Sequence, residues 1–203
     1  MISESNENGR QLPKEITKRF GVVYTPSCII KYIISGIKWL LKYHFNSLLD
    51  QINNENALIA SNVFYLDPAA GNGEFPVQLI RSIIDSKPTI KEHELEELIS
   101  RIFCYEILPE HFVQLKKNLN AFVKNADQEW NIYNIDTLSD IKGNPLPEIK
   151  DNEILVIFGN PPYSVSTNNK GAFIRALIED YKKEIVAIGS KKISSVRALQ
   201  DDY

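Results

Sequence analysis

The apolar run Val63 to Leu66 breaks into Asp67-Pro68-Ala69-Ala70-Gly71-Asn72-Gly73-Glu74-Phe75 and resumes as a helical stripe of Val77, Ile80, Ile83 and Ile84. A short buried strand, a glycine loop and a helix, in that order, open a Rossmann-like unit and exclude most other folds. Gly71 and Gly73 allow the backbone to approach a ligand closely. The pattern then repeats. Ile102 to Tyr105 reads as a second strand with Glu106 at its tip. Pro109 opens a helix reaching about Lys124, with Phe112, Leu115, Leu119 and Phe122 inward. A third strand lies near Trp130 to Ile135 with Asp136 at its tip, and a fourth covers Ile154 to Phe158. Alternation with helices makes the sheet parallel, so the four tips share one edge. The expected fold is α/β: a Rossmann-like, mainly parallel sheet with helices on both faces.

The fourth strand ends in Gly159-Asn160-Pro161-Pro162-Tyr163. Two consecutive prolines cannot continue a sheet and hold the backbone stiffly. An amide, a rigid carbonyl and a phenol ring are thereby presented at the edge where open α/β sheets bind ligands. A nucleobase amino group is a poor nucleophile because its lone pair is spread into the ring. Two acceptors aimed at its two hydrogens favour a localised lone pair. Asn160 supplies a side-chain oxygen and Pro161 a backbone carbonyl. Tyr163 offers a face on which an extruded base stacks. Taken alone, the same tetrapeptide also reads as a proline-rich turn.

The glycine loop does not suit a nucleotide phosphate. Glu74 would face it with like charge, and the lysine of a P-loop is missing. A cationic, phosphate-free cofactor such as S-adenosylmethionine fits better, because acidic strand tips can hold its hydroxyls, amines and cationic centre. An acid at the tip of the second strand is the usual partner of ribose hydroxyls. Glu106 lies further from the loop than in the dinucleotide fingerprint, and an additional helix from about Lys91 to Ser100, with Thr89 and Glu92 spaced as a capping box, fills the excess.

Residues 1–12 read as a flexible tail, 13–60 as an N-terminal helical segment packed on the sheet, and 61–203 as the cofactor-binding and catalytic core. Pro13 to Phe20 reads as a short helix. Thr25 is the expected N-cap of a long helix, with Pro26 as its first residue and Ile30, Ile33, Ile37, Leu41, His44 and Leu48 along one stripe. Gly171 to Tyr181 reads as helix, and Glu184 to Ile188 as a short strand or irregular loop. The acidic cluster at Glu92, Glu94, Glu96 and Glu97 reads as a solvated face. The net charge of -3 argues against a protein that coats nucleic acid, so a DNA substrate would need a local patch or another domain for most phosphate contacts. Cys28 and Cys104 sit in apolar stretches and read as buried thiols of a reducing cytoplasm. His44, His93 and His111 lie apart on predicted helices and read as ordinary surface or core residues. No cysteine–histidine cluster has metal-ligand spacing, and no apolar run is long enough to span a membrane.

The ordered set of motifs resembles the amino-methylating DNA methyltransferases of the adenine-N6 type, in the arrangement where cofactor motifs precede the catalytic one. Gly21 to Pro26 is similar to the family's N-terminal cofactor motif. Asp67 to Phe75 resembles its glycine loop, with Ala70 and Asn72 where cysteine and serine are frequent. The resemblance implies cofactor binding at Tyr24, Thr25 and Pro26, at Asp67, Pro68, Ala69, Gly71, Gly73 and Phe75, at Glu106 and Ile107 beside the ribose, at Asp136 and Thr137 beside the adenine, and at Asn160. It implies a catalytic role for Asn160, Pro161, Pro162 and Tyr163. Asparagine at the first position of that motif favours adenine. The implied partner is double-stranded DNA with a flipped adenine, in a restriction–modification polypeptide. The family sheet has seven strands, of which four are legible here, so the later strands and a target-recognition domain have no counterpart and self-association of the chain is expected. Methylation of an RNA adenine or of a protein glutamine, whose amide presents the same two hydrogens, stays open at this stage, as does a non-catalytic cofactor-binding subunit.

Overall fold

A computed structural model of the 203-residue chain describes residues 24–49, 56–123, 130–139, 145–162 and 172–187. Four strands form one sheet: β1 (Val63–Asp67), β2 (Ile102–Tyr105), β3 (Asn131–Tyr133) and β4 (Ile154–Ile157). Their order is β3-β2-β1-β4, and every pairing is parallel. Helix α1 (Ser27–His44) and a 3-10 turn at Ala57–Ile59 precede β1, and α2 (Glu74–Ser86), α3 (Glu92–Ile99) and α4 (Pro109–Asn120) lie between the strands. The chain builds outward from β1 through β2 to β3, then returns to place β4 on the other side of β1. The direction of winding therefore reverses between β1 and β4, and such a switch point opens a crevice at the carboxyl ends of the two strands.

Register fixes which side chains share a face, because residues alternate along a strand. The pairs Tyr65–Ile102, Asp67–Cys104, Cys104–Ile132, Val63–Ile154 and Tyr65–Val156 put these residues on one face. Apart from Asp67, they join the main core with Ile30, Ile34 and Leu41 of α1, Leu79, Ile80 and Ile83 of α2, Leu95, Leu98 and Ile99 of α3 and Leu115 and Leu119 of α4. The opposite face carries Phe64, Leu66, Phe103, Tyr105, Tyr133, Leu155 and Ile157. There Tyr105 and Tyr133 meet edge to face, with ring centroids 5.9 Å apart. Burial pushes the Tyr105 hydroxyl up to about 12.

The described residues fall into two units. One spans Thr25–Pro161 and contains the sheet. The other includes Tyr24, Pro162 and the helix α5 (Ala172–Ala187). Among the described residues, no helix is long and apolar enough to cross a membrane.

Several local expectations shift. Pro26, not Thr25, is the N-cap of α1. Its ψ of 138° is extended, and its carbonyl accepts from the amides of Ile29 (2.9 Å) and Ile30 (3.2 Å). Because Pro26 itself is extended, Ser27 becomes the first helical residue, one position later than expected. The helix ends at His44 rather than continuing to Leu48, because Phe45 leaves helical geometry and Leu48 closes a turn back to its carbonyl. In α3 the N-terminal carboxylate is Glu94, which accepts from the Lys91 amide at 2.7 Å and pairs with Lys87 at 2.8 Å; the expected Thr89–Glu92 pair lies too early. Glu184–Ala187 is the last turn of α5, not a strand or loop. Cys28 is exposed while Cys104 is buried. Ile30 and Ile34 take the inward side of α1, and an apolar stretch does not reveal which of its members faces out. The expected tail at 1–12, the short helix at 13–20 and Tyr163 lie outside the described residues.

Candidate active site

At the tip of β1 the backbone turns at Asp67, whose side chain is 1% exposed. Its Oδ1 accepts a hydrogen bond from the Ala69 amide at 3.1 Å. Its Oδ2 is buried and accepts none. Burial, with Glu106 adding like charge, pushes this carboxyl up to about 7, against the lowering effect of the Ala69 amide. Cys104, beside it on β2, is raised by burial and by the Asp67 charge.

The glycine loop is tied to its neighbours at each step. Ala70 N donates to Tyr105 O at 2.9 Å, and Gly73 N to Ala70 O at 2.8 Å. Gly71 N donates to Glu106 Oε2 at 2.8 Å. Asn118 of α4 donates from Nδ2 to Asn72 O at 2.8 Å. Gly73 has φ of 88°, and a Cβ there would stand 2.5 Å from Leu115 Cδ1, so glycine is needed both for conformation and for helix packing. Phe75, expected at the cofactor, is 5% exposed and packs on the Phe158 ring at 5.8 Å.

Glu106 is buried at the tip of β2. Its second oxygen, Oε1, accepts from Leu108 N at 2.7 Å and lies 3.7 Å from His111 Nδ1. Each carboxylate oxygen has two lone pairs, so one backbone amide apiece leaves capacity for a further donor. Ile107 is exposed. Beyond β3, Asn134 reaches back from Nδ2 to Glu106 O (2.7 Å) and Ile107 O (3.1 Å). Thr137 Oγ1 donates to Pro68 O at 2.6 Å, joining the β3 loop to the β1 loop. Asp136 is exposed, and its Oδ1 accepts from Leu138 N at 3.0 Å. The three loops are thus knitted into one edge.

On the other side of β1, Phe158 N donates to Leu66 O at 3.0 Å, and the chain leaves the ladder at Gly159. A Cβ on Gly159 would stand 2.6 Å from Asp67 Oδ1. Asn160 follows, half-buried, and Pro161 is exposed. Asp67, Ala69, Gly71, Glu106, Thr137 and the Gly159–Asn160 corner therefore gather at the carboxyl edge of the sheet, next to the switch point. Thr25 and Pro26 open α1; Tyr24 and Pro162 belong to the other unit. In the sequence His111 reads as an ordinary surface or core residue, and Asn118 and Asn134 are given no site role. His111 sits in the first turn of the helix that follows Glu106, a position visible in the sequence only once that helix is known to fold back over the acid.

A parallel sheet with a glycine loop after its first strand, acids at the next tips and an Asn-Pro corner across the switch point defines a Rossmann-like methyltransferase fold. The N-6 DNA methylase family model matches residues 10–186, and the chain belongs to that family. No curated protein sequence matches it. Among solved structures, the fold is similar to the DrdV–DNA complex (TM-score 0.63, 23% identity, 94% of this chain and 19% of that one). It is also similar to the ATP-dependent Type ISP restriction–modification enzyme LlaBIII bound to DNA (0.65, 21%, 94% and 14%). A third is a nuclease-deletion mutant of the Type ISP enzyme LlaGI with a DNA substrate mimic (0.64, 21%, 90% and 16%). The chain thus spans under a fifth of the length of each of these structures.

Proposed function

We propose that this chain carries the cofactor-binding and catalytic part of a methyltransferase that moves a methyl group from S-adenosylmethionine to the N6 amino group of adenine in duplex DNA, within a restriction–modification enzyme. The observation that carries this reading is the meeting of Asp67, Glu106 and the Asn160 corner at one edge of the sheet, in a chain of the N-6 DNA methylase family. The DNA complexes of restriction–modification enzymes with the same fold support the choice of substrate.

The residues suit the cofactor. The buried, unaccepting Oδ2 of Asp67 matches an amino-group donor. Glu106 retains lone pairs for ribose hydroxyls, and Asp136 with Thr137 serves the adenine end. When bound, the cofactor supplies an electrophilic methyl on a sulfonium. The protein's task is then to hold an amino nitrogen in line with it. Asn160 Oδ1 and the Pro161 carbonyl accept the two amino hydrogens and localise the lone pair. Pro161 has no N–H of its own, and Pro162 stiffens the corner. Tyr163 stacks on a base flipped from the duplex, where pairing otherwise blocks attack. No base need act first, because the methylated nitrogen would release its proton to solvent after transfer.

Single-turnover transfer of labelled methyl by the full-length protein tests this. Wild type is expected to label adenine N6 in DNA. Asn160→Ala is expected to cut the rate on the order of 100-fold while cofactor affinity stays nearly unchanged, since its contact belongs to the reacting nitrogen. Label entering RNA or protein glutamine instead of DNA would overturn the substrate, and a wild-type rate in Asn160→Ala would overturn the chemistry.

A further inference from the structure

Gly159 directly precedes the two acceptors of the amino hydrogens, and its surroundings leave no room for a side chain. The strand before it is pinned. Phe158 is held to β1 by its amide, and its ring packs against Tyr65 at 6.0 Å and against Phe75 of α2 at 5.8 Å. Gly159 itself has φ of 153°, and a Cβ would meet Asp67 Oδ1 at 2.6 Å and Cγ at 3.3 Å. Asp67 has little room to withdraw, for it is 1% exposed, it holds the Ala69 amide and its strand is paired on both sides. The backbone just beyond β4 is therefore packed against the first carboxylate of the cofactor loop.

We infer that Gly159 is a positioning residue for methyl transfer: by seating its α-carbon on the Asp67 carboxylate, it sets the separation between the glycine loop and the Asn160–Pro161 corner. This rests on the reading of Asn160 given above. A side chain at position 159 pushes the start of the corner away from β1, and the next residue along is the one that holds the amino group. Displacements of about 1 Å cost on the order of 100-fold in rate where reacting atoms must be aligned. The glycine loop, held by Tyr105, Glu106 and Asn118, stays in place. The cost therefore falls on transfer rather than on cofactor binding.

The test uses the full-length protein, with single-turnover rates at saturating S-adenosylmethionine and DNA, cofactor affinity by calorimetry and thermal melting. Gly159→Ala is expected to lose between about 10- and 100-fold in rate, with cofactor affinity within about threefold and a lowered melting temperature, because φ of 153° strains alanine and its β-carbon meets a buried carboxylate. In an Asp67→Ser background, where the carboxylate is gone, adding Gly159→Ala is expected to cost less than about fivefold, because such coupling is what contacting residues show. Equal losses in the two backgrounds, or a wild-type rate in Gly159→Ala, overturn the inference. Should Gly159→Ala fail to fold, the Asp67→Ser/Gly159→Ala protein decides: recovered folding with a rate within fivefold of Asp67→Ser supports it, and continued misfolding overturns it. A wild type that transfers no methyl to DNA defeats the reading of Asn160 and this inference together; a wild type that does, with Gly159→Ala as fast, defeats this one alone.

Discussion

Asp67 combines a satisfied carboxylate oxygen with a buried one that accepts nothing, and the consequence is a proton. Burial raises its folded-state pKa from the ordinary 3.8 to about 7. Between those two values the folded chain binds a proton that the unfolded chain has released. Stability therefore falls as pH rises through that window and is flat above it. A shift of this size corresponds to a few kcal/mol as an order of magnitude. Asp67→Asn, which needs no proton to be neutral, is expected to be more stable than wild type at pH 8 and about equal at pH 4. Urea unfolding of both proteins across that range checks this; parallel stability curves would show that Asp67 is already ionised in the fold. Tyr65, also fully buried, is raised by burial, but its hydroxyl donates to Leu58 O at 2.8 Å and serves packing alone.

At the scale of elements, Arg101 fastens the start of the sheet to the helices behind it. It sits between α3 and β2, 8% exposed. Its Nη1 donates to the carbonyls of Ala60 and Val63, Nη2 to Ile59 and Nε to Glu97. One guanidinium thus serves the end of the 3-10 turn, the entry to β1 and the last turn of α3. Arg101→Met keeps the aliphatic bulk and removes these donors, while Ala60 O keeps the Val63 amide and Glu97 O the Ser100 hydroxyl. It is expected to cost about 1–3 kcal/mol, the usual cost of leaving a buried polar group unsatisfied. Arg101→Lys, with fewer directions of donation, is expected to fall between. Denaturant midpoints at unchanged slope check both. The arginine looks like any other surface cation in the sequence, because its acceptors lie up to 42 residues away.

At the scale of the whole molecule, β4 is the last strand in the order of the described sheet, paired there with β1 alone. Ile157 on that strand is 63% exposed. An apolar edge of this kind invites pairing with another chain. The 203-residue chain by itself is expected to associate with rising concentration, and Ile157→Lys to weaken that association. Light scattering over a concentration series checks it; a monomer at every concentration, or no effect of the lysine, would show that the edge is not the cause.

Local pattern was enough to establish the four strands of the described sheet, the helices between them and its parallel sense. Side-chain period and glycine position are properties of neighbouring residues, and Ile102–Tyr105 and the loop from Asp67 to Gly73 are legible on that basis. Helix ends were less so, as at Pro26, Phe45 and Glu94, because caps are settled by single backbone torsions and by which carboxylate reaches back. Which side of α1 buries its apolar residues, and hence that Cys28 lies outside, depended on packing. The same holds for Glu106 bonding the glycine loop, His111 folding over that acid and Gly159 resting on Asp67. The first and last of these contacts join residues far apart in the chain, and only the return of β4 to the side of β1 opposite β2 brings the last of them together. Strand periodicity specifies a strand, but it carries no information about which neighbour that strand will choose.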